Sequence, residues 1–274
     1  MVGNQLVSII MPAYNARNYI GEAIWSVLNQ TYPCWELLVI NDGSTDDTER
    51  EIKLFNDTRI KYFFQENKGV SAARNIGLAN MRGNYFCFLD ADDVMPPQSL
   101  ESRLKIFFCN DEISFVDGQV LLKDMALQKV SRVYQPSFIG NPYQALLELS
   151  ETCFLGNTWM IKRDRSREYQ FKEGLTHSED LLFYLNIAQQ GLYATTSEEV
   201  LWYRTGNSSA MANLKGLEQG YASLYSEIKH NHCVSEKRIR YLKYKITRIM
   251  VLSYIRLQHD LGSAVRVLFR YAKL

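Results

Sequence analysis

The densest chemistry in the chain is Phe88-Leu89-Asp90-Ala91-Asp92-Asp93, which sets three carboxylates within four positions directly behind an apolar run. Like charges that close repel unless a cation or hydrogen-bond donors offset them. Oxygen donors suit Mg²⁺ or Mn²⁺, ions that keep several waters and bridge one or two carboxylates to phosphates, so a diphosphate is the natural complement. Capping of a helix over 96–108 is the competing use of the same residues.

Three further segments offer matching groups. In Met11-Pro12-Ala13-Tyr14-Asn15 an aromatic ring beside a rigid proline can stack on a flat base, or simply pack. Ile40-Asn41-Asp42-Gly43-Ser44 supplies a carboxylate able to accept from a base imide or a ribose hydroxyl, and is also an ordinary turn sequence. Asn67-Lys68-Gly69 followed by Ala72-Ala73-Arg74-Asn75 opens a helix with small residues and basic side chains, a setting that attracts anions through free N–H groups, the helix dipole and the arginine fork. An Arg74 held by the 90–93 carboxylates is compatible with that use.

The elements that must position these groups follow from periodicity. Leu6–Met11, Glu36–Ile40, Ile60–Phe64 and Tyr85–Leu89 are short apolar runs separated by helix-length segments, a β-α-β-α pattern. Ile20, Ala23, Ile24, Val27 and Leu28 recur at helical spacing, with Asn15 or Asn18 as the expected N-cap; Asp46 and Glu49 have capping-box spacing, and a third helix is expected over Val70–Asn80. Such a pattern predicts an α/β fold, a mostly parallel sheet flanked by helices, with ligands at the carboxyl ends of its strands. Each informative segment begins at one of those ends. Beyond it we expect strands at Ile113–Leu122, Thr158–Ile161 and Val200–Tyr203, helices at Tyr143–Leu149 and Glu179–Gln190, and two or three helices after Leu214.

Bulk properties narrow the class. The 31 basic side chains nearly balance 30 acidic ones, so no chain-wide charge points to nucleic acid. From Lys215 onward, however, 12 Lys and Arg face 4 Asp and Glu, which describes a net-acidic body followed by a basic tail. Leu242, Ile246, Ile249 and Leu257 fall near one face of that tail among Lys243, Lys245, Arg248 and Arg256, as in helices that lie on anionic lipid; packing on the body is the alternative. The apolar stretch Ile249–Ile255 is far shorter than the ~20 residues of a spanning helix. Five scattered cysteines without metal-ligand spacing read as reduced, and no signal-peptide pattern precedes Leu6, so a cytoplasmic location, peripheral on the inner face of the plasma membrane, is expected.

Taken in order, Val7 to Asn15, Ile40 to Asp46, Asn67-Lys68-Gly69, Ala73-Arg74-Asn75 and Phe88 to Asp93 closely resemble glycosyltransferase family 2, over residues 1–110. The resemblance implies a GT-A fold, a Rossmann-like sheet joined to an acceptor-binding portion, and inversion at the anomeric carbon. It implies that Pro12, Ala13, Tyr14 and Asp42 hold the base, with Asn15, Lys68 and Gly69 along the same pocket, and that Arg74 secures the nucleotide. Asp90 would approach the ribose and share a Mn²⁺ or Mg²⁺ with Asp92, its main ligand. His177-Ser178-Glu179-Asp180 looks like the family's Glu-Asp motif, with Asp180 as the catalytic base; helix capping competes for these residues. Tyr203-Arg204 followed by Ser208-Ser209 resembles a segment that closes on the donor phosphates, which would make Arg204 a phosphate contact. Trp159 and Trp202 are candidates for stacking on a sugar face or for the core.

The function implied is transfer of a single sugar from a nucleotide-sugar, a UDP-sugar first and GDP- or dTDP-sugars as alternatives, to an acceptor hydroxyl. A lipid-diphosphate-linked saccharide of bacterial polysaccharide or O-antigen assembly is the expected acceptor. The alternatives are a sugar-nucleotide-binding protein without transferase activity and a sugar nucleotidyltransferase. The organisation expected is a GT-A domain over 1–212, divided at 110 into nucleotide-sugar and acceptor halves, and a basic helical extension over 213–274.

Overall fold

The computed structural model describes residues 5–175, 177–206, 213–231 and 233–273. Ser208 and Ser209 lie outside the described residues.

Four parallel strands build the first half: β1 (Val7–Ala13), β2 (Trp35–Asp42), β3 (Ile60–Gln65) and β4 (Tyr85–Phe88), in the spatial order β3-β2-β1-β4. Every residue of β1 and β2 is buried because helices cover both faces of the sheet. Alternate side chains of β1 divide accordingly. Val7, Ile9 and Met11 pack with Ile24 and Val27 of α1 (Ile20–Leu28), whereas Ile10 faces Ala73 and Leu78 of α3 (Val70–Asn80). The fit under α3 is tight, since a Cβ on Gly77 would lie 2.4 Å from the Cγ2 of Ile10.

Two expected caps are not formed. No side chain caps α1; Asn15 instead takes φ 49° and its Oδ1 accepts from the Thr45 N–H at 2.8 Å, tying the loop after β1 to the loop after β2. At α2 (Thr48–Lys53), Asp46 accepts from the Thr48 N–H at 3.0 Å, but Glu49 pairs with Lys53 rather than closing a box.

The second half extends the sheet with antiparallel pairings. After α4 (Ser99–Cys109), β5 (Ile113–Lys123) pairs with β6 (Val130–Tyr134) and, beyond α5 (Tyr143–Leu147), with β7 (Met160–Lys162), which joins β4. Following α6 (Glu179–Ile187), β8 (Leu192–Arg204) runs parallel to β5 with register breaks between Ile113 and Phe115, between Asp117 and Gln119, and between Gln119 and Val120. The expectation for this last strand was Val200–Tyr203 only, because Thr195-Thr196-Ser197-Glu198-Glu199 gives no apolar alternation.

Three helices close the chain: α7 (Leu214–Asn231), α8 (Glu236–Gln258) and α9 (Leu261–Lys273). They share the core of the body: Leu217, Leu224, Leu242, Ile246, Met250 and Val267 are buried in the same cluster as Ile10 and Phe88. Leu242 and Ile246, expected on a lipid-facing stripe, therefore point inward. Glu218 of α7, only 4% exposed, fastens the tail by accepting from the Tyr254 hydroxyl at 2.9 Å and from Arg270 at 2.7 Å. Among the described residues no helix is long and apolar enough to cross a membrane.

Candidate active site

All four parallel strands deliver their carboxyl ends to one edge of the sheet, and two adjoining clefts open there. The first, of about 620 Å³, is lined by Pro12, Ala13, Tyr14 and Asn15 after β1, Asp42 at the end of β2, Gly69 and Arg74 at the start of α3, and Asp90 and Asp92 after β4. Tyr14 is half exposed, leaving its ring available to a flat ligand. The Asp42 carboxylate is buried and accepts from the backbone N–H groups of Lys68 at 2.8 Å and Gly69 at 2.9 Å, so it also fixes the loop that leads into α3. Gly43 makes the turn beside it with φ +69°, where a Cβ would meet the Asn67 nitrogen at 2.6 Å. Lys68 is exposed and contributes its backbone rather than its side chain.

The second cleft, of about 480 Å³, shares Tyr19, Arg74, Asp90 and Asp92 with the first and adds His177, Glu179, Asp180, Tyr203, Leu217 and Tyr221. Arg74 stands at the junction. Its guanidinium is buried and bridges Asp90 at 3.0 Å and Glu179 at 3.1 Å, joining residues from the two halves of the chain. The side-chain oxygen of Asn157, in the amide orientation that satisfies its neighbours, accepts from the same two terminal nitrogens at 3.2 and 3.0 Å. Asp180 begins α6 with Glu179; Ser178 sits in the left-handed region at φ 62° and caps nothing with its side chain. Burial first, and the neighbouring Glu179 charge second, hold the Asp180 carboxyl above the ordinary carboxylate range, while Arg74 opposes the shift.

The acidic triplet divides. Asp90 and Asp92 face the clefts, whereas Asp93 is buried and accepts from the Arg204 N–H at 2.9 Å. Burial, then the charges of Asp90 and Asp92, raise the Asp93 carboxyl well above its usual range; burial and then Asp90 raise that of Asp92. Two carboxylates facing one cleft, with the charge of Asp90 raising Asp92, are a fit for a hard divalent ion. Asp90 and Asp92 are the residues that would hold Mg²⁺ or Mn²⁺, ions that usually keep several waters beside one or two carboxylates.

Arg204 also lines the second cleft. Each guanidinium nitrogen has a protein partner, namely the carbonyls of Asp92 and Met125 and the carboxylate of Glu22, and the group lies 5.0 Å over the Tyr19 ring. It clamps the 90–93 turn to α1. Neither tryptophan reaches the clefts: Trp159 is wholly buried with its N–H on the Cys153 carbonyl, and Trp202 bonds Glu199 at 2.6 Å. Reading the sequence did not single out Asn157, Leu217 or Tyr221. For the last two a signal existed, because Gly216 and Gly220 interrupt a good helix at a spacing of four.

An open α/β sheet with a two-lobed cleft at its carboxyl edge is the scaffold of the GT-A class. Solved structures of that class superpose: Staphylococcus aureus TarS 1-349 in complex with UDP-GlcNAc has a TM-score of 0.72 at 17% identity, covering 98% of this chain and 81% of that one. The mannosyltransferase PcManGT of Pyrobaculum calidifontis, in complex with GDP-Man and Mn²⁺, has a TM-score of 0.63 at 17% identity, covering 97% and 79%. The chain belongs to glycosyl transferase family 2, whose model matches residues 8–169. Among curated relatives, the Escherichia coli UDP-Glc:alpha-D-GlcNAc-diphosphoundecaprenol beta-1,3-glucosyltransferase WfgD is 34% identical over 212 residues, 76% of this chain and 80% of that protein. The chain spans about a third of the length of the Rickettsia glycosyltransferases it also matches.

Proposed function

We propose that the chain transfers a single sugar from a UDP-sugar to an acceptor hydroxyl by one in-line displacement with inversion. The observation that carries this reading is the junction at Arg74, where a cleft suited to a nucleotide diphosphate meets a second cleft holding the partly enclosed Asp180. In this reading Tyr14 and Asp42 receive the base, and Asp90 and Asp92 hold the divalent ion. Once bound, that ion supplies positive charge for the departing diphosphate. Asp180 takes the proton of the attacking hydroxyl; the new bond joins the acceptor oxygen to the anomeric carbon as the bond to the diphosphate oxygen breaks, and its electron pair leaves with UDP. A carboxylate with a raised pKa is a better proton acceptor than an ordinary one, which suits this task. Arg204, its nitrogens already taken, serves by holding the 90–93 turn.

The proposed acceptor is a lipid-diphosphate-linked saccharide of bacterial surface polysaccharide, in line with the acceptor named for the E. coli relative. The organisation we propose is a GT-A domain over 1–212 with the helices of 213–274 docked against it. The deciding experiment measures released nucleoside diphosphate from a panel of UDP-, GDP- and dTDP-sugars with Mn²⁺, Mg²⁺ or chelator. Metal-dependent turnover of a UDP-sugar is the expected result, and Asp180→Asn should lower kcat about 10²–10⁴-fold while the donor still binds. Near-normal turnover by that variant overturns the base assignment.

A further inference from the structure

Glycine is the poorest helix former after proline, yet α7 carries Gly216 and Gly220 one turn apart in its interior. Both face the same residue. A Cβ on Gly216 would lie 2.4 Å from Cε1 and 2.9 Å from Nδ1 of the His177 ring, and 2.7 Å from Nδ2 of Asn213, whose Oδ1 accepts from the Gly216 N–H. A Cβ on Gly220 would lie 2.6 Å from the His177 carbonyl oxygen and 2.7 Å from its Cβ. The two glycines thus form a notch in which His177, itself 7% exposed, is seated by ring and backbone. His177 is three residues from Asp180, and the link between them includes Ser178 at φ 62°, a conformation that an L residue holds only when its surroundings impose it. On its other side α7 is fastened by Glu218 to α8 and α9.

We propose that α7 is part of the active site: the Gly216–Gly220 notch sets where Asp180 stands, acting through His177 as a positioning device. Leu217 and Tyr221 of the same helix line the cleft beside Asp180, giving it an apolar and aromatic wall of the kind on which a sugar ring stacks. This rests on the reading of Asp180 as the base. It makes the region after residue 213 a component of catalysis rather than an appendage.

The test follows the rate of nucleotide release from the UDP-sugar that the wild-type chain turns over, with Mn²⁺ and a GlcNAc-diphospholipid as acceptor, together with donor and acceptor KM and melting temperature. Alanine is the better helix former, but its methyl would also crowd the Asn213 side chain that holds the Gly216 N–H, so the melting temperature is read beside the rate. A displacement of about 1 Å at a reacting group costs on the order of 100-fold in rate. Gly216→Ala is therefore expected to lower kcat at least about 10-fold, with donor KM unchanged. In a His177→Ala background the new methyl still meets Asn213 but no longer the ring, so the further loss of kcat caused by Gly216→Ala should be clearly smaller than in the wild type. Equal losses with and without the His177 ring, or full kcat in Gly216→Ala, overturn the proposal. Should the Gly216 variant not fold, Tyr221→Ala carries the test: it is expected to raise acceptor KM with donor KM unchanged, and an unaltered acceptor KM overturns the wall. Asp180→Asn, measured alongside, separates the two levels. An active Asp180→Asn sinks the base assignment, whereas an inactive one with indifferent α7 variants sinks only the role of α7.

Discussion

At the scale of single residues the site is a balance of charges around Arg74. Its guanidinium faces Asp90 and Glu179 directly and lies near enough to Asp180 to oppose that group's raised pKa. A general base works deprotonated, so a raised pKa places the acid limb of the kcat/KM profile above the ordinary carboxylate range, with activity growing as pH rises. Burial is the main cause and Glu179 the second. Glu179→Gln removes one negative charge beside Asp180 and should move that limb to lower pH. An unmoved limb in the pH profile would show that Asp180 does not feel Glu179. The positions of Asp42, Asp90, Asp92 and Asp180 at strand and helix ends were legible from the periodicity, while the roles proposed for them rest on the family resemblance. What they touch was not: Arg74 and Arg204 are the same residue type at comparable burial, yet Arg74 borders both clefts while Arg204 borders one and is tied to Glu22 and two carbonyls, partners that converge only in the fold.

At the scale of elements, Asp117 is a buried carboxylate that the proposed chemistry does not use. Asp117, in the middle of β5, is wholly buried and accepts from the Gly118 N–H at 2.8 Å, Thr158 at 2.9 Å and Tyr193 at 3.2 Å. Burial, only partly offset by those donors and by Arg103, raises its pKa to about 6. The folded state therefore holds this proton more tightly than the unfolded chain, and Asp117 subtracts stability as pH rises from about 4 through about 6. Asp117→Asn keeps the shape and removes the ionisation. Its stability relative to the wild type is expected to grow over that window by up to about 3 kcal/mol, provided the two hydroxyls turn to accept from the amide. Urea denaturation at pH 4 and pH 8 measures it, and a difference independent of pH refutes it. The same part of the sheet resisted reading from sequence for a related reason. β1 to β4 announce themselves as apolar runs because helices bury both faces, but β6 has four exposed residues out of five and β8 bends past Gly118, so neither has the alternation that identifies a strand.

For the whole molecule, the question is what the basic end of the chain faces once its inner side is committed to the core. Residues 236–273 hold ten Lys and Arg against two acidic residues. α9 buries Ala264, Val267 and Tyr271 but leaves Leu261 67%, Val265 49%, Leu268 49% and Phe269 67% exposed, at the i, i+4, i+7, i+8 spacing of a second apolar stripe. An amphipathic helix with an exposed apolar face in a strongly basic setting matches the physics of attachment to an anionic bilayer, where the proposed lipid-linked acceptor resides. We therefore expect flotation with vesicles of phosphatidylglycerol and phosphatidylethanolamine, weakened by salt. Leu261→Glu with Phe269→Glu should abolish it and leave the melting temperature unchanged, because neither side chain belongs to the core. Flotation that survives both substitutions removes α9 from the membrane, and absence of flotation in the wild type removes the membrane from this face. A dimer in the ultracentrifuge that the same pair dissociates would instead assign the stripe to a second copy of the chain.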